Sequence, residues 1–93
     1  MDRGQLEKII DDTIAGVPEL VQIYREESVK KQYFIKSEED FAFGYSIARI
    51  FYPFKLYFSM TRIRAMTEDE EKEMHKIINK RLAEIRNAIL NCG

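Results

Sequence analysis

The chain has 93 residues, 45% of them hydrophobic and 33% charged, with 15 Lys and Arg set against 16 Asp and Glu for a net charge of -1. That balance excludes a disordered chain and a basic DNA- or RNA-binding protein, and the length allows one domain, near the size at which a single core is marginal and association often completes it. One cysteine, Cys92, permits no disulfide within the chain, which points to a reducing compartment and hence the cytoplasm.

The opening stretch, Met1 to Gln5, begins an amphipathic segment, so no ordinary secretory signal is expected. Leu6, Ile9, Ile10, Thr13, Ile14 and Val17 share one side of a first helix, with Glu7, Lys8, Asp11 and Asp12 mostly outside it. Gly16-Val17-Pro18 breaks or kinks that helix: glycine suits a cap, the residue before proline is pushed toward extended geometry, and proline is tolerated at the first position of a new helix. A second helix is expected from Pro18 to about residues 31–34, with Leu20, Val21, Tyr24 and Ser28 on its inner face.

Ser37 followed by Glu38, Glu39 and Asp40 reads as an N-cap with acids in the first turn, where the helix dipole favours negative charge. The third helix that starts there has only a narrow polar stripe, Ser46, Arg49 and Arg64, and eight of the eleven aromatic residues fall between positions 41 and 58. One neighbouring helix cannot bury so much apolar surface. The excess predicts a homodimer with Phe41, Tyr45, Phe51, Phe54 and Phe58 at its interface.

Pro53 should kink or divide this helix, and Gly44 with Ala48 leaves a shallow strip for close helix approach. Residues 41–60 are long enough to cross a membrane, but Arg49 and Lys55 would each cost roughly 2.5–3.5 kcal/mol near the bilayer centre, so a buried helix and no membrane partner are expected. Thr67 to Glu70 forms a capping box that opens the last helix, whose apolar stripe runs through Met74, Ile77, Ile78, Leu82, Ile85, Ala88, Ile89 and Cys92, with Gly93 expected to end it. The pattern predicts an all-α, four-helix bundle-like subunit occupying residues 1–93, its long central helix kinked by Pro53.

No Cys-His metal spacing, Gly-rich phosphate loop or nucleophile elbow is present, and His75 reads as a half-exposed surface residue. Acids do cluster on both sides of one helix-helix connection, Glu26 and Glu27 before it and Glu38, Glu39 and Asp40 after it. Convergent carboxylates suit Mg²⁺, a hard cation that takes oxygen ligands and bridges to phosphates. The same acids also fit a purely structural role: Glu26 with Lys30 and Glu27 with Lys31 are spaced i, i+4 in the order favourable for ion pairs.

An acidic pair on one helix, a short gap and a second acidic group opening an apolar helix resembles the MazG-like all-α nucleoside triphosphate pyrophosphohydrolases. Their pattern is Glu-Glu-x-x-Glu followed by Glu-x-x-Asp. Glu26 and Glu27 fit the first pair, Lys30 takes the third acidic position, and Phe41 and Ala42 stand where the second motif's Asp would follow Glu38 or Glu39. The resemblance implies a helical dimer that uses Mg²⁺ to split a nucleotide between its α- and β-phosphates. Glu27, Glu39 and Asp40 would be the metal ligands, and Arg81 and Lys30 the substrate contacts. The alternative is a non-catalytic protein-protein interaction or scaffold module on the same helical fold.

Overall fold

A computed structural model describes residues 2–92, and within them the chain is helical with no strand. The first break is a kink, not a loop. α1 (Arg3–Ala15) passes into α2 (Val17–Tyr24) through Gly16 in right-handed helical geometry, φ -85° and ψ -4°, with Pro18 in the first turn of α2. Because the Gly16 N–H still donates to the Asp12 carbonyl at 3.1 Å, the rod bends without losing its ladder.

The expected second helix is two helices. Arg25 closes α2, and Glu26, extended at φ -66° and ψ 131°, serves as N-cap for α3 (Glu27–Tyr33), which buries none of its side chains. Without an apolar face to dock, α3 hangs from α2 as a short spur that ends on Phe34 in left-handed geometry, φ 55°.

α4 (Glu38–Arg62) is the central element and lies against α1, α2 and α6. Its 25 residues span about 37 Å, close to the 42 Å long dimension of the molecule. Ser37 caps it as expected, accepting from the Asp40 N–H at 3.2 Å. Pro53 does not divide the helix. Pro53 and Arg49, whose carbonyl the proline leaves without an intrahelical donor, are both exposed residues.

The last helix is also two: α5 (Glu68–Asn79), opened by the full Thr67–Glu70 capping box, and α6 (Leu82–Leu90). Between them Arg81 sits at φ -115°, ψ 7°. No proline or glycine marks the break. The Arg81 guanidinium instead reaches α1 while Met74, Ile77, Ile78, Ile85 and Ile89 stay buried on both sides, so the apolar stripe survives the bend. α6 ends at Leu90, and the expected stop at Gly93 lies outside the described residues.

The core joins Leu6 and Ile10 of α1, Val17 and Val21 of α2, Ile50 and Phe54 of α4, and the buried residues of α5 and α6. Ser46, expected on the polar stripe, is wholly buried, with its hydroxyl donating to the Ala42 carbonyl at 2.7 Å. That bond lets a polar side chain occupy the inner face of α4 without an unmet donor.

Candidate functional site

At the α2–α3–α4 junction, three charged residues hold one another. Glu38 is gripped by Lys30 and by Arg25, whose Nε lies 3.5 Å from the carboxylate, and Arg25 also donates to the Cys92 carbonyl at 3.0 Å. The Lys30 ammonium holds the Glu38 carboxyl below its usual range, and Glu38 in turn raises Lys30. Beside them lies a cleft of about 100 Å³ between Val21, Tyr24, Arg25, Glu38, Glu39, Ala42, Ile89 and Leu90. Tyr24 packs its ring against Phe41 and Tyr45 at 4.6 and 5.5 Å, and burial raises its hydroxyl pKa.

The expected metal ligands lie near this junction on two different helices. Glu27 is exposed in the first turn of α3, Glu39 is exposed in the first turn of α4, and the exposed Asp40 carboxylate has Arg86 3.9 Å away. Among the described residues no group of three His, Cys, Asp or Glu side chains is placed to share a metal ion. The central acid of the junction is Glu38, which is not among the three expected ligands.

Arg81, the expected substrate contact, is committed elsewhere. Its guanidinium lies 2.6 Å from Asp11, 2.7 Å from Glu84 and 3.3 Å from Glu7, with only 17% of the side chain exposed. Glu84 first, then Asp11, raise the pKa of Arg81. Three carboxylates on one guanidinium fill its donor fork, so Arg81 staples α6 to α1.

The expected interface residues divide. Phe54 and Phe58 have no exposed surface, because they point into the subunit's own core, and they are corrected to core residues. Phe51 is partly covered by His75, 4.5 Å between ring centres, and Phe41 by Tyr24. Only Tyr45 of the five counts as exposed.

The exposed apolar side chains of α4 are others: Tyr52 at 73%, Leu56 at 61%, Met60 at 71% and Ile63 at 91%. Within the helix, Tyr45, Arg49, Tyr52, Leu56 and Met60 follow one another at a spacing close to one helical turn and draw a line down the outer face, and Ile63, the C-cap, stands three residues beyond Met60. Arg49 is laid over the Tyr45 ring at 6.0 Å.

Ile63 closes α4 in left-handed geometry, φ 55°, a conformation that β-branched residues avoid. Beside the line, Tyr52, Lys55, Leu56, Ser59, Ala65 and Met66 enclose an open groove of about 350 Å³. No family model, curated protein or solved structure matches this chain. Among the described residues no helix is long and apolar enough to cross a membrane.

Proposed function

We propose that this protein is a non-catalytic, self-associating helical module of the cytoplasm, whose working surface is the outer face of α4. The observation that carries the reading is the apolar line from Tyr45 to Ile63, which runs about 27 Å along the helix with one cation in it. Surface area supports it. The chain exposes 6240 Å², whereas about 5,600 Å² is typical of a monomer of 11.0 kDa, an excess to which the outer face of α4 contributes together with the undocked α3, where Phe34 is 87% exposed.

The charged groups support it from the other side. Lys30 and Arg81, the cations a nucleotide would need, are engaged with Glu38 and with Glu7, Asp11 and Glu84. The acids of α4's first turn serve its dipole, and Glu38 also ties α3 to α4. Association also accounts for an isoleucine held in left-handed geometry in open water.

The test is the dependence of thermal stability on protein concentration. A self-associating chain has a Tm that rises with concentration by mass action. Leu56→Glu, an exposed substitution, is expected to keep the helical circular dichroism and to make Tm independent of concentration. A wild-type Tm that does not move over the micromolar range contradicts the reading.

A further inference from the structure

The groove beside the outer line of α4 has the form of a coiled-coil hole. Four of its lining residues, Tyr52, Lys55, Leu56 and Ser59, stand at i, i+3, i+4 and i+7, the set of four side chains that receives one knob from a facing helix. Ala65 and Met66, just beyond the end of α4, close its back. The Lys55 ammonium is drawn aside by Glu71 at 2.8 Å, which leaves its stem along the wall and keeps its charge from the mouth.

From this geometry we propose that the occupant is a second copy of the chain, its α4 running antiparallel about a two-fold axis at the level of Phe54, with each Tyr52 seated in the other's hole. This rests on the reading of α4 as a self-associating face and names its register. A two-fold at position 54 exchanges Tyr45 with Ile63, the two ends of the apolar line, and Tyr52 with Leu56. The same operation carries Tyr52 of one copy onto the centre of the hole in the other, so knob and hole are matched by one axis and the contact closes on itself.

Arg49 is set opposite Ser59 and Met60, so the paired faces place no two like charges against each other along the line. Ile63, held outward at the end of α4, covers Tyr45 of the second copy.

Cysteine pairing tests the register in a Cys92→Ser background. Antiparallel copies place position 45 beside position 63 of the partner, whereas two copies of position 45 are about 27 Å apart, far beyond the roughly 7 Å reach of a disulfide. Mixed Tyr45→Cys and Ile63→Cys chains are expected to cross-link, and each variant alone to remain uncross-linked under the same oxidant. Tyr52→Ala is expected to weaken association at least tenfold, and Tyr52→Phe, which keeps the knob, to weaken it little.

Cross-linking of each variant with itself overturns the antiparallel register and leaves self-association standing, as does a dimer that cross-links in no combination. A chain that sediments as a monomer overturns self-association itself.

Discussion

The two faces of α4 carry similar residues and meet opposite fates. The inner face, Ala42, Ser46, Ile50, Phe54 and Phe58, is a ridge of every fourth residue, none more than 2% exposed. The outer face, Tyr52, Leu56, Met60 and Ile63, is at least 61% exposed at each position. Composition does not tell these faces apart. What separates them is the partner helices: α1, α2 and α6 cover one side of α4 and leave the other uncovered within the subunit.

Substitution of the inner face should give the largest effect. Phe54→Ala removes a ring with no exposed surface and is expected to cost about 3–5 kcal/mol in denaturant unfolding, whatever the protein concentration. Leu56→Ala on the outer face should change the stability of the dilute monomer by no more than about 0.5 kcal/mol while weakening association. Equal losses at the two positions would erase the distinction between the faces.

Arg81→Met keeps the stem and leaves Glu7, Asp11 and Glu84 without their shared cation. Since Asp11 and Glu84 are more than half exposed and screened by water, a loss of about 1–2 kcal/mol is expected, read from the shift in the urea midpoint.

Ile63→Gly should sharpen the comparison by sign. Glycine accepts φ 55° without strain, so the dilute monomer is expected to gain about 1 kcal/mol while the association constant falls. A variant that loses on both counts would mean that Ile63 supports its own subunit.

The smallest effect concerns acid. Glu70 is lowered from 4.5 to about 2, first by the Arg64 guanidinium and then by the Thr67 N–H, and Arg64 holds it with bonds of 2.7 and 3.1 Å. Its folded pKa lies below its unfolded one, so its stabilisation is complete above about pH 4.5 and is lost as pH falls toward 2. Glu70→Gln should flatten part of that acid limb in a pH series of Tm values, the remainder coming from Asp2, Glu38, Glu71 and Glu84, which are shifted the same way.

The parts of the fold legible in the sequence are those set by local hydrogen bonding: the Gly16 kink, the Ser37 cap and the Thr67–Glu70 box each depend on residues within one turn. The breaks at Glu26 and Arg81 were not legible, since neither carries a proline or glycine and the second answers to acids on α1, seventy residues away along the chain. The candidate site was half legible. An excess of apolar surface on the central helix can be counted from the sequence, but a helix apolar nearly all round has too little periodicity to say which face its neighbours take, and nothing local separates the buried Phe54 and Phe58 from the exposed Tyr52 and Leu56.

The acidic clusters were visible as residues, whereas the choice of Glu38 as the junction's anchor depends on Lys30 and Arg25 meeting in space. Incubation with nucleoside and deoxynucleoside triphosphates and Mg²⁺ checks the role assigned to those acids: no pyrophosphate release is expected, and turnover lost in Glu27→Ala would restore them to catalysis.

The central claim, that the outer face of α4 joins two copies, is tested most directly by sedimentation equilibrium of the wild-type chain across the micromolar range. The account predicts a mass approaching twice 11.0 kDa that returns to 11.0 kDa in Leu56→Glu. A wild-type mass of 11.0 kDa at every concentration would contradict it.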